Sequence, residues 1–152
     1  MKRTPLRSKE VNQQLVQYKI ELNKKDPVEL AETENEKIIL VNKQPSFFYH
    51  NNLLIPTLKY LQQHNVLKKV AIDLGAIRFI INGADVMRPG IKEIDLTIAK
   101  DEPILIIDDT HKKPIAVGIA LVSGSEMQAL TTGKVIKTIH YVGDHLWKWS
   151  VD

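Results

Sequence analysis

The sequence predicts an α+β chain of two small domains, the second of them a small mixed β-barrel carrying short helices. Three observations predict this. Short apolar runs of strand length recur between turns rich in Gly, Pro, Asn and Asp. The one extended helical periodicity lies near the start, in residues 8–22. The texture changes at residues 65–69, and a chain of 152 residues is long enough for two small domains. The expected division is 1–67 and 68–152.

In residues 8–22, Val11, Leu15, Tyr18 and Leu22 share one helical face, and Ser8 is available as N-cap. Asn23-Lys24-Lys25-Asp26-Pro27 breaks the helix. Val28 to Thr33 and Lys37 to Val41 read as strands joined at Glu34-Asn35-Glu36, with a third strand at Pro45 to Tyr49. Pro56 is expected to open a short helix from Thr57 to about His64, because the first-turn N–H has no partner in any case.

Beyond the junction, Val70-Ala71-Ile72 is a short apolar strand, and Leu74 to Ile81 suits one or two helical turns. Ile104–Ile107, Ile115–Val122 and Val135–Val142 read as β segments. His145–Val151 reads as another, with Trp147, Trp149 and Val151 on one face. Ser123 to Leu130 is a short helix capped by Ser123 or Ser125. Strands at this spacing suggest a small barrel, whose interior is filled by side chains, so that ligands bind outside it or at its rim.

Composition excludes several functions. A hydrophobic share of 43% with 26% charged residues is that of an ordinary globular protein. With no cysteine there is no disulfide, thiolate zinc site or cysteine nucleophile. The basic start has no apolar run behind it, so no signal peptide is read. No segment approaches the roughly 20 apolar residues of a membrane helix. Net charge is only +3, but residues 1–25 hold seven Lys/Arg against two Glu, which permits phosphate contacts and equally a solvated tail.

Neither a Walker A loop nor a dinucleotide fingerprint occurs, and there is no G-x-S-x-G elbow. Residues 70–75 are similar to the first phosphate loop of actin-like ATPases, yet Ala-Ile-Arg-Phe follows where small hydroxylated residues belong. Of the five histidines, His140 and His145 flank the Gly143 turn and could face each other. Two imidazoles without a placed carboxylate make a weak metal case, and no metal is expected. Asp108-Asp109 reads as turn chemistry. No enzyme and no cofactor are expected.

The richest stretch is 73–91. Gly75, Gly83 and Gly90 there would let a partner backbone approach or allow positive φ, and Arg78 and Arg88 bring charge-assisted donors. N–H groups at the helix start would suit phosphate. On the residues alone, the first reading of these glycines is that they only shape a tight strand–helix–strand crossing. Trp147 and Trp149 read as a core or interface plug, with base stacking as the alternative.

Asp73-Leu-Gly-Ala-Ile, Asn82-Gly-Ala, Met87-Arg-Pro-Gly-Ile, Ile115-Ala-Val-Gly and Ile139-His-Tyr…Asp144-His-Leu-Trp147 resemble, in this order, the PUA domain. Upstream, Lys24-Lys-Asp-Pro-Val28, Phe47-Phe48 and Pro56-Thr-Leu-Lys59 resemble the N-terminal domain of the malignant T-cell amplified sequence and ligatin proteins. The resemblance implies a cytoplasmic RNA-binding protein of translation that contacts tRNA or ribosomal RNA. It also implies the small ribosomal subunit and an initiation-factor-like protein as partners, and no membrane. The implied RNA-facing residues are Gly75, Ala76, Arg78, Asn82, Gly83, Ala84, Arg88, Pro89 and Gly90, with Phe79 assigned to the core. The rival expectations are a protein-interaction adaptor and an accessory subunit of an RNA-modification enzyme.

Overall fold

A computed structural model describes residues 1–150, and the chain divides into two compact units, Met1–Val66 and Leu67–Lys148, with Trp149 and Ser150 assigned to the first. The first unit is a five-stranded antiparallel sheet in the order β1-β2-β3-β4-β5. Its strands are Lys2–Leu6, Val28–Glu32, Lys37–Val41, Gln44–His50 and Leu53–Pro56. Two-residue turns join β3 to β4 and β4 to β5. At these turns Asn42, Lys43, Asn51 and Asn52 all take positive φ, the geometry whose twist matches that of paired strands. Asparagine tolerates that region because its short amide bonds locally.

Helix α1 spans Ser8–Leu15 and continues as a 3-10 turn, Val16–Tyr18. It is shorter than the 8–22 pattern, because Lys19 turns left-handed and its N–H closes on the Val16 carbonyl. Ser8 is the first helical residue and not the cap. The N-cap is Arg7, without a side-chain hydrogen bond. Of the expected apolar face, Val11, Leu15 and Tyr18 are buried, with the Tyr18 hydroxyl donating to the Leu54 carbonyl at 2.6 Å, whereas Leu22 lies beyond the helix and is half-buried. Pro56 closes β5 instead of opening a helix. Thr57 caps α2 (Leu58–Leu61) by accepting from the Tyr60 N–H.

The second unit is a six-stranded mixed sheet curled into a nearly closed barrel, in the order β7-β11-β10-β9-β6-β8. The ranges are β6 Lys69–Ile72, β7 Val86–Met87, β8 Ile91–Ile94, β9 Pro103–Asp108, β10 Pro114–Ala120 and β11 Lys134–Tyr141. Every residue of β9 is buried, as befits a central strand read as a continuous apolar run. Val70, Ile72, Val86, Ile104, Ile106, Val135 and Ile136 fill the interior, with Ile80 from α3 (Leu74–Ile80) and Met127 from α4 (Gly124–Ala129). The Ser123 hydroxyl caps α4 through the Glu126 N–H.

The expected last strand is a helix, α5 (His145–Lys148). Asp144 decides this. Its carboxylate accepts from the Trp147 N–H at 2.8 Å and the Tyr141 N–H at 3.0 Å, and it lies 2.9 Å from Nδ1 of buried His140. A side chain that satisfies first-turn amides favours a helix over continued pairing. The alternation of Trp147 and Trp149 is therefore not a strand face, and Val151 lies outside the described residues. The Asp108 carboxylate likewise accepts from the N–H groups of His111 and Lys113, which is the turn role expected of it.

Gly118, where β10 shifts register against β11, has no room for a side chain. A Cβ there would overlap the Ile136 side chain and come within 3.0 Å of the Lys137 carbonyl. Gly118→Ala should therefore destabilise the protein by about 1–3 kcal/mol, the usual result of overpacking. Urea unfolding that leaves the midpoint unchanged would contradict this packing.

Candidate nucleic-acid interface

Helix α3 and the loop after it lie on the outside of the barrel. Asp73 starts the helix: its carboxylate accepts from the Gly75 N–H at 3.2 Å, and its own N–H donates to the Gly90 carbonyl at 2.9 Å. The helix start is thus closed by the chain's own carboxylate, contrary to the expectation that phosphate would sit there. A second negative charge at the same amides would be repelled.

The predicted site residues separate into two groups. Ala76 and Gly90 pack on each other, since a Cβ on Gly90 would lie 3.2 Å from the Ala76 Cβ. Arg88 donates from Nε to the Met127 carbonyl and from Nη1 to the Ile91 carbonyl. Its guanidinium therefore joins the 3-10 turn Arg88–Gly90 to α4, and phosphate pairing is not its first task. Pro89 is exposed within that turn.

Gly75, Arg78, Asn82, Gly83 and Ala84 form the open group, all exposed. Among the described residues Arg78 pairs with no carboxylate, and its guanidinium lies 4.9 Å over the centroid of the Phe79 ring. Phe79 corrects the sequence reading. It is 54% exposed, because the core position of this helix belongs to the next residue, Ile80, at 2%.

The loop offers less bare N–H than its glycines promised. Asn82 and Ala84 donate to the Phe79 carbonyl and Gly83 to the Ile80 carbonyl, a tight helix ending that needs the positive φ of Gly83 (+92°). What it presents outward is small side chains and carbonyl oxygens.

Asp85 ties the loop to β11, accepting from the Thr138 N–H at 2.9 Å and from Lys134 Nζ at 3.0 Å. Burial alone would push its carboxyl up. The Lys134 hydrogen bond, the Thr138 amide and the charges of Lys134 and Lys137 outweigh that and hold it below the ordinary carboxylate value. Lys134 and Lys137 thus surround Asp85, with Arg78 on the helix that leads into the loop. The sequence reading missed Asp85, although an acid directly after Gly-Ala was the available signal.

The first unit has its own basic concavity, a cleft of about 680 Å³ with Arg7, Lys9, Lys24, Lys25 and Lys43 in its lining. Among the described residues no group of three or more His, Asp or Glu could hold a metal, and no helix is long and apolar enough to cross a membrane.

Residues 68–142 match the family model of the PUA domain, and residues 6–64 that of a domain of unknown function, DUF1947. The chain is 49% identical to an uncharacterized protein of Methanocaldococcus jannaschii, over 84% of this chain and 79% of that protein. It is 31% identical to Translation machinery-associated protein 20 of Saccharomyces cerevisiae, over 85% and 76%. Identity is also 31% to Malignant T-cell-amplified sequence 1-A of Xenopus laevis, over 82% and 72%. Among solved structures, a hypothetical protein from Pyrococcus horikoshii superposes with a TM-score of 0.85 at 35% identity, covering 97% of this chain and 98% of the other.

The Asp85 anchor makes a pH prediction. A depressed carboxyl contributes its stabilisation above the unfolded value, near about 3.9, and loses it as pH falls through the lower folded value. Thr138 amide exchange should therefore show constant protection from pH 5 to 8, once corrected for intrinsic rates. Asp85→Ala should speed that exchange about fivefold, the effect of losing one modest hydrogen bond. Unchanged protection in the variant would remove Asp85 as the anchor.

Proposed function

This chain belongs to the malignant T-cell-amplified sequence family of PUA-domain proteins, and we propose that it binds RNA in translation without catalysing a reaction. The RNA is tRNA or small-subunit ribosomal RNA, bound in the cytoplasm through α3 and the loop at 81–85. The small ribosomal subunit and an initiation-factor-like protein complete the set of partners. The carrying observation is Arg78, a solvated guanidinium without an acidic partner among the described residues, beside a loop of small residues.

A guanidinium binds phosphate through two parallel hydrogen bonds, and its planar fork loses little freedom in doing so. The small side chains of Gly83 and Ala84 let a sugar–phosphate strand come close. The carbonyls of Asn82 and Gly83, which take no hydrogen bond from the described residues, are acceptors for a ribose 2′-hydroxyl, the group that distinguishes RNA from DNA. The names of the yeast and frog relatives associate those proteins with translation machinery or with T-cell malignancy, and the first association supports the reading.

Three chemistry-bearing groups elsewhere in the second unit have structural duties. Ser123 caps a helix, the Asp108 carboxylate holds a turn, and the His140 imidazole contacts Asp144. None of these is arranged as nucleophile and base. This supports a binding module over an enzyme.

The two arginines test the assignment. Titrating tRNA and small-subunit RNA at increasing salt should give affinity that falls linearly on a log–log plot. Arg78→Glu should weaken binding and lower that slope by about 0.7–0.9 per lost phosphate contact, without changing the melting temperature. Arg88→Ala should instead cost about 1–3 kcal/mol of stability, because two carbonyls lose their donor. Arg78→Glu with wild-type affinity, or affinity no better than that of an unrelated protein of equal charge, would contradict the reading.

A further inference from the structure

We infer that the first unit carries a docking groove for an acidic, partly apolar segment of a partner protein. Two adjoining depressions make the groove. The 680 Å³ cleft described above and a second of about 610 Å³ share Ser8, Lys9 and Lys24 in their lining. Six cations stand around the pair: Arg7, Lys9, Lys19, Lys24, Lys25 and Lys43. All six are exposed, and among the described residues none forms an ion pair. Three acids share the lining, Glu21, Asp26 and Glu29. Glu29 is already taken, since the Arg3 guanidinium donates to its two oxygens at 3.0 and 2.9 Å. The groove keeps an excess of positive charge. Its floor is apolar. Pro5, Leu6, Pro27 and Val28 lie in the first depression, and Val16 and Ile20 in the second, with Val16 70% exposed.

The groove is fastened in place by the chain itself. Residues 19–25 run back along α1 as a strap that is neither helix nor strand. The Asn12 amide grips this strap, accepting from the Leu22 N–H at 2.7 Å and donating to the Leu22 carbonyl at 3.3 Å. The Asn23 side chain accepts from the Lys25 N–H at 2.9 Å and so shapes the turn that presents Lys24 and Lys25. Binding therefore orders the partner and a few lysine side chains, not this backbone. Charge complementarity calls for carboxylates, and the floor calls for apolar side chains between them. RNA supplies the charge alone, because the lining holds no Phe, Tyr or Trp on which a base could stack. A second copy of this chain fits no better. In its acidic stretch, 85–109, Asp85 pairs with Lys134, Glu93 and Asp109 with Lys112, and Glu102 with Lys68, while Asp108 is closed by turn amides. The occupant is then a segment of another protein in which Asp or Glu alternates with Leu, Ile or Val. No groove residue belongs to α3 or its loop, so this proposal stands apart from the RNA surface.

The probe is a fluorescein-labelled peptide alternating Glu and Leu, titrated with the full chain and followed by anisotropy. The comparisons are a peptide with Gln for every Glu, one with Ser for every Leu, and oligouridine of equal charge. The Glu–Leu peptide should bind about tenfold tighter than either substituted peptide, and tighter than oligouridine. Lys24→Glu combined with Lys25→Glu should weaken it about tenfold, because two attractions become repulsions. Val16→Ser should weaken it about fivefold through lost apolar contact. Both changes fall on exposed side chains, so both variants should melt as the wild type does and keep its tRNA affinity. Arg78→Glu should leave peptide binding unchanged, so that failure of the RNA surface and failure of the groove show in different variants. No binding of the Glu–Leu peptide, equal binding of the Gln peptide, or wild-type affinity in the lysine variant would overturn the groove. Tighter binding of oligouridine would assign it to nucleic acid, and self-association that the lysine variant abolishes would assign it to a second copy. Either result overturns the proposal.

Discussion

The parallel pairing of β6 with β9 is the constraint from which the rest of the second unit follows. Parallel neighbours cannot be joined by a tight hairpin, so the chain leaving Ile72 must cross before it can return at Pro103. That crossover holds α3, the small-residue loop, β7, the 3-10 turn and β8, and so every candidate interface residue from Gly75 to Gly90. The crossing is fastened at three points: the Asp73 N–H on the Gly90 carbonyl, the Ala76 methyl against Gly90, and the Arg88 guanidinium on the Met127 carbonyl. Ile80 then sinks into the barrel. Arg78 and Phe79, two residues and one residue earlier on the same short helix, face out.

Carboxylates supply the second layer of order, each where the chain passes between a strand and a turn or loop. Asp85 fixes the loop to β11, Asp108 closes the turn after β9, and Asp144 starts α5. Burial alone would raise the Asp144 carboxyl, but hydrogen bonding and charge from His140, with the Trp147 and Tyr141 amides, hold it below its ordinary value. Such groups look like chemistry in a sequence because catalysis uses the same residue types. What distinguishes them is that their oxygens are filled by main-chain N–H groups of the chain itself, near in sequence for Asp108 and Asp144 and across the barrel for Asp85.

Much of this was legible in the residues. Strands at 28–33, 37–41 and 104–107 announced themselves by apolar runs bounded by turn residues, and Ser123 by its place before an amphipathic helix. The ordered motifs from Asp73 to Trp147 led to the family. The rest was hidden for identifiable reasons. The strand Lys2–Leu6 carries Lys, Arg, Thr and Pro because it lies at a sheet edge, where no apolar alternation is required. Trp147 and Trp149 alternate like a strand, yet Asp144 dictates a helix through contacts no periodicity records. Phe79 was assigned inward because aromatic residues usually are, and a helix of two turns gives too few positions to fix which face is buried. Arg78 and Arg88 look equivalent in sequence. Only the distance from Arg88 Nε to a carbonyl 39 residues away separates the cation that holds the fold from the one left in solvent.

The central claim is that the crossover surface, and no other face, meets RNA. The most direct measurement is the change in backbone amide resonances of the full chain on titration with tRNA or small-subunit RNA. The account predicts the largest shifts at 74–84, centred on Arg78, Phe79 and Gly83, with smaller ones at Lys134 and Lys137 and none along buried β9. Shifts confined to the basic cleft around Arg7 and Lys24, with residues 74–84 undisturbed, would contradict it.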